Sequence, residues 1–271
     1  MEQVNDFIQS IVDIVWGWPK LLPLMVVILL GSGIFITFRL RFIQLFKVKH
    51  AIDVIRGKYD NAQDAGDINH FQALAAALSA TVGIGNIAGV ATAIHYGGPG
   101  ALFWMWITAV FGMALKYAEA TLAVRFRKIN PDGSASGGPM YYIEKGLGPK
   151  WKPLAIAFAS FAVISSFGTG NSIQAFTCSD QILSEFKQAL PSQSWLLQQV
   201  NFIGVEVEPV RIFTGIVLAL LVALVILGGI RRIGKVAAKL APFMAVLYVV
   251  TALLILLMHL DSIIPTFVTI F

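Results

Sequence analysis

The sequence predicts an all-α membrane protein of six transmembrane helices, and three observations predict it. Apolar runs of about 20 residues recur, which is the helix length that crosses a bilayer. Of 271 residues, 57% are hydrophobic and only 13% are charged, about half the charged share of an average soluble domain. The basic residues, finally, fall in alternate loops rather than in one stripe.

The candidate spans are residues 20–38, 71–96, 100–124, 153–179, 211–230 and 241–260. The stretch 39–70 between the first two holds Arg39, Arg41, Lys47, Lys49, Arg56 and Lys58. Stretch 125–152 holds Arg125, Arg127, Lys128, Lys145, Lys150 and Lys152, and 231–239 holds Arg231, Arg232, Lys235 and Lys239. The intervening loops are short (97–99) or acidic: 180–210 sets Asp180, Glu185, Glu206 and Glu208 against Lys187. The positive-inside rule then puts the N-terminus outside, the three basic loops in the cytoplasm and the last residues outside, in a plasma (inner) membrane. Residues 1–70 form an outer N-terminus, a first helix and a basic loop; residues 71–271 form a five-span unit.

Other classes are disfavoured. The net charge of +5 is explained by orientation, so no nucleic-acid partner is expected. A single cysteine, Cys178, allows neither an intramolecular disulfide framework nor a cysteine-rich metal site. Glu2, Asp6 and Asp13 precede the first apolar run, where a cleavable signal peptide would be basic. The histidines at 50, 70, 95 and 259 are scattered, with no His-Glu-x-x-His and no serine elbow, so no enzyme is expected. In the acidic loop, Trp195-Leu196-Leu197 fits either a segment on the membrane surface or a folded outer loop.

The second span is apolar but built of small residues, and it is interrupted at Val82-Gly83-Ile84-Gly85-Asn86. Each glycine lowers helix propensity by about 1 kcal/mol relative to alanine, and Asn86 puts an amide where hydrocarbon is expected. Two readings stand side by side. Gly85 and Gly89 at four-residue spacing suit close helix packing. Alternatively the helix unwinds near the midplane, and bound groups satisfy the freed backbone amides and carbonyls.

Span four adds Ser165, Ser166, Thr169, Asn171, Ser172, Gln174 and Thr177. Asn171 and Gln174, three apart, share a helix face and are placed to look at span two. Intramembrane amides face protein or a wet cavity; interhelical glue is the plainer role for them. In span three, Lys116 and Glu119 are spaced to pair, which reads as a strut, although a proton-coupled carrier would need such residues. Phe103, Trp104 and Trp106 suit an aromatic belt at the outer end of that span.

The run Gly97-Gly98-Pro99-Gly100-Ala101-Leu102-Phe103-Trp104-Met105-Trp106, continuing to Gly112, resembles the signature of the sodium:alanine symporter family (alanine or glycine:cation symporters). Residues 79–93 and Gly138-Pro139-Met140-Tyr141-Tyr142-Ile143 resemble two further motifs of that family. The resemblance implies Na+-coupled uptake of alanine or glycine on a leucine-transporter-like fold, whose first core helix unwinds at a glycine-rich stretch. It further implies that backbone groups around Thr81, Gly83 and Gly85 receive the substrate carboxylate. Carbonyls near Ser79 and Val82 would hold sodium, with Asn86 as a side-chain ligand. Gln174, beside Asn171, would add a substrate hydrogen bond. Family members are longer, with a second, inverted five-helix repeat. The resemblance therefore implies an N-terminal portion that needs a missing C-terminal repeat to work, with residues 263–271 the approach to a seventh span. A channel or non-transporting scaffold is the alternative outside the carriers.

Overall fold

In hydrocarbon every backbone N–H and C=O must be paired within its own segment, which is why the apolar runs become helices. The computed structural model describes residues 2–20, 22–61, 66–191, 193–202 and 204–271. Its elements in order are α1 (Glu2–Gly17), α2 (Leu24–Arg39), α3 (Ile43–Phe46), α4 (Val48–Ile55), α5 (His70–Thr81), a 3-10 turn (Ile84–Asn86), α6 (Ala88–Gly97) and α7 (Gly100–Arg125). There follow β1 (Lys128–Ile129), β2 (Ala135–Ser136), α8 (Pro139–Leu147), α9 (Lys152–Ser166), α10 (Thr169–Ala189), β3 (Val200–Phe202) and β4 (Val205–Val207). The chain closes with α11 (Pro209–Ile226), α12 (Gly229–Met258) and α13 (Leu260–Ile270).

Among the described residues, four helical stretches are long and apolar enough to cross a membrane: α7, the run Pro149–Ala189 that holds α9 and α10, α11 and α12. A fifth is the pair α5 and α6, counted as one broken span bent by 69°. The count of six is therefore not reached. The first expected span starts later, because Pro23 caps its helix, and α2 has only 16 residues, about 24 Å at 1.5 Å per residue.

Two other expectations change. The fourth span does not end near residue 179: α10 continues to Ala189, its polar last turns held by Gln181 Nε2 donating to Glu185 Oε1 at 2.9 Å. The acidic loop then forms the β3–β4 hairpin, with Asn201 paired to Glu206, and Trp195 stays exposed. Residues 263–271 lie mostly in α13, an 11-residue helix that returns to α7. There Phe271 meets Phe103 at 5.5 Å and Phe267 meets Trp106 at 6.4 Å between ring centroids.

The three basic loops meet at one end of the bundle. Asp67 accepts from Arg231 Nε at 3.4 Å and from the Ala135 amide at 3.3 Å, joining the stretch before α5, the β1–β2 hairpin and the start of α12. Asn69 then starts α5 with a reciprocal cap, taking the Gln72 N–H at 2.8 Å while Gln72 Oε1 takes its own at 3.2 Å. Lys116 does pair with Glu119, at 3.0 Å.

Small residues carry the helix contacts, as expected where lipid supplies no hydrophobic drive to association. Ala75 of α5 packs with Ala237 and Ala241 of α12. A Cβ on Gly234 would lie 2.9 Å from Ile68 Cγ2, and one on Gly33 would lie 3.1 Å from Phe111 Cβ in α7. The alanine cluster and Gly234 hold α5 and the residues just before it on α12, while Gly33 lets α2 approach α7.

Candidate functional site

The break falls where glycine and asparagine predict it, but it is narrower than the stretch 79–86. Ser79 and Thr81 remain helical, and the Thr81 hydroxyl donates to the Ala77 carbonyl at 2.8 Å. Val82 leaves the helix with φ −83° and ψ 113°. Gly83 N–H donates to Asn86 Oδ1 at 3.1 Å, and Asn86 N–H donates to the Gly83 carbonyl at 3.0 Å. In an unbroken helix those two amides would serve the carbonyls of Ser79 and Val82, four residues back. Asn86 thus closes the turn on itself, and the carbonyls of Ser79, in the last turn of α5, and of Val82, just past it, are left without their helical partners.

Gly83 is where α10 comes closest to the break. A Cβ there would stand 2.8 Å from Gln174 Nε2, so α10 reaches the break through the missing side chain. Gly85 has no such neighbour, since a Cβ on it would meet nothing within 4 Å. Its contribution is low helix propensity.

Two cavities adjoin this contact. The first, about 660 Å³, is lined by Val82, Gly83 and Asn86 of the break, Gln174 of α10, and Met244 and Tyr248 of α12. The second, about 750 Å³, is lined by Ser79 of α5, Asn171 and Gln174 of α10 and Leu218 of α11. Gln174 and Cys178 are common to both. The structure therefore joins Val82, Gly83, Asn86 and Gln174 in one place, and Ser79 with Asn171 on the far side of Gln174. Thr81 and Gly85 line neither cavity.

Sequence reasoning named Thr177 only among the polar residues of span four and missed Cys178 and Gln181; all three line the first cavity. Their signal was present: they continue the Gln174 face at helical spacing. Met244 and Tyr248 carried no such signal, because α12 is apolar on all sides there. Chemically, the arrangement offers hard carbonyl oxygens at the end of one half-helix, free amides at the start of the next, and one primary amide beside a mostly apolar wall. Oxygens of this kind suit small hard cations, and such amides suit anions.

Fold and site together define a multi-pass helical membrane protein whose broken span opens onto a partly polar cavity. The chain matches the sodium:alanine symporter family over residues 1–271; it belongs to that family. It is 46% identical over 98% of its length to the sodium/alanine symporter AgcS of Methanococcus maripaludis, covering 53% of that protein. An uncharacterized transporter of Haemophilus influenzae is 40% identical over 96% of the chain, which covers 51% of it. The uncharacterized transporter YflA of Bacillus subtilis is 37% identical over 98% of the chain, which covers 50% of it. The chain thus spans about half the length of these relatives.

Proposed function

We propose that this chain supplies the first half of a sodium-coupled symporter for a small neutral amino acid, alanine or glycine, oriented with its basic loops in the cytoplasm. One observation carries the reading: the helix break exposes unpaired backbone groups directly beside Gln174 and a cavity. Family membership and the name of the Methanococcus relative support sodium and alanine as cargo.

In this reading the carbonyls of Ser79 and Val82, released at the end of α5, help bind sodium. Asn86 has a second role: its Oδ1 holds the Gly83 amide and keeps those carbonyls from being recaptured by a helix. The substrate carboxylate sits at the amides that follow the break, at Gly85 and its neighbours, where the half-helix dipole is positive. Gln174 donates to the substrate from α10, with Asn171 behind it. Thr81, whose hydroxyl is spent inside α5, contributes its backbone only. A leucine-transporter-like pair of inverted repeats, of which 71–271 is the first, completes the site in the longer protein.

The test is sodium-dependent alanine uptake by cells carrying the whole reading frame, with alanine placed singly at Thr81, Asn86 and Gln174. Loss at Asn86 and Gln174 is expected, with a small effect at Thr81. Wild-type kinetics in all three would sink the assignment, and uptake unchanged when choline replaces sodium would favour proton coupling.

A further inference from the structure

Helix α1 sits apart from the bundle's chemistry and shows a separate design. At 100° per residue, Phe7, Ile8, Ile11, Val12, Ile14 and Val15 fall on one arc, while Asp6, Gln9, Ser10 and Asp13 fall opposite. The six apolar side chains are 37–67% exposed, so nothing among the described residues buries them. The polar arc satisfies itself: Gln9 Nε2 donates to Asp13 Oδ1 at 3.0 Å and Ser10 Oγ to the Asp6 carbonyl at 2.8 Å.

We propose that α1 lies flat in the membrane–water interface, on the side away from the basic loops, with its apolar arc in the acyl boundary and its acidic arc in water. Four features select lipid as the occupant. Asp6 and Asp13 stand two turns apart on one side, so no part of the helix can sink into hydrocarbon without burying a carboxylate. A hydrogen bond ties the end of α1 to the mouth of α2, with Leu24 N–H donating to the Trp18 carbonyl at 3.0 Å; this sets α1 at the level where the chain enters the bilayer. Trp16 and Trp18, 55% and 63% exposed, mark that level as interfacial tryptophans do. Finally, α2 leads from this end to Arg39 and the basic loops, so a polar arc whose only charges are the carboxylates of Asp6 and Asp13 lies on the side where positive charge is not called for.

Interfacial helices more often carry lysine and arginine and depend on anionic lipid. The acidic face of α1 predicts attachment by apolar area alone, indifferent to lipid charge.

The experiment places one spin-labelled cysteine at a time, Phe7→Cys, Ile11→Cys, Ile14→Cys, Asp6→Cys or Asp13→Cys, in a Cys178→Ala chain. The chain is reconstituted in vesicles of phosphatidylethanolamine, with and without phosphatidylglycerol. Collision rates with oxygen and with a water-soluble nickel chelate are then compared. Labels at 7, 11 and 14 should favour oxygen several-fold over those at 6 and 13, in both vesicle types. Shielding of 7, 11 and 14 from both reagents would overturn the proposal by showing protein, a second copy or another segment, on that face. Equal nickel access at all five positions would overturn it by putting α1 in water. A pattern that needs phosphatidylglycerol would overturn the claim of charge independence.

Discussion

Gln174 occupies the space that a side chain at residue 83 would need, its Nε2 lying 2.8 Å and its Cδ 3.3 Å from a Cβ built on Gly83. The broken span and α10 are therefore coupled through one glycine. Gly83→Ala must turn the Gln174 amide, the far end of a flexible side chain, out of its rotamer at a cost of about 0.5–1.5 kcal/mol. The variant should melt at lower temperature than the parent, and Gln174→Ala added to it should recover most of the loss. Additive melting temperatures would refute the contact.

Asn86 holds the break open through its side-chain oxygen. Asn86→Ala takes away the acceptor of the Gly83 amide, and lets that amide return to the Ser79 carbonyl. The sodium concentration for half-maximal uptake should rise by about tenfold, since about 1.4 kcal/mol is a factor of ten. Asn86→Asp keeps an acceptor and should change it much less. Equal behaviour of the two variants would argue against a capping role.

The packing of Ile68, just before α5, and of Gln72 in α5 on α12 uses the space left by the absent side chain of Gly234. With Ile68 Cγ2 only 2.9 Å from a Cβ there, Gly234→Ala should cost about 1–3 kcal/mol by overpacking. Thermal unfolding in detergent measures it, and Ile68→Ala should relieve part of the penalty.

Asp67 joins three segments at the basic end. Asp67→Ala removes the acceptor for both Arg231 and the Ala135 amide, so amide exchange across residues 128–136 should accelerate. Asp67→Asn keeps a neutral acceptor and should protect the hairpin nearly as well. If both variants exchange at the parent rate, the hairpin is held by something else.

In the same hairpin, the Ser134 hydroxyl and then its backbone N–H hold the Asp132 carboxyl below its ordinary value. A depressed value means the turn gains stability above the unfolded-state pKa and loses it as pH falls through the lowered folded one. Carbon-detected titration should show Asp132 moving back up toward the ordinary carboxylate range in Ser134→Ala. An unmoved titration would deny the hydroxyl its role.

The sequence by itself determined the membrane class, the grouping of basic loops and the position of the break. These are local properties: an apolar run of given length, a charge count between runs, and two glycines beside an amide act wherever the chain is placed. The tertiary structure alone decided which groups meet there. It set Gln174 against Gly83, assigned Asn86 to its own turn, separated Ser79 and Asn171 from the first cavity, brought in Met244 and Tyr248, and returned α13 to α7. The reason lies in helices such as α7 and α12, which are apolar on nearly every side. A periodic pattern that marks no face leaves rotation about the helix axis open, and close packing through small residues such as Gly234 and Ala75 settles it.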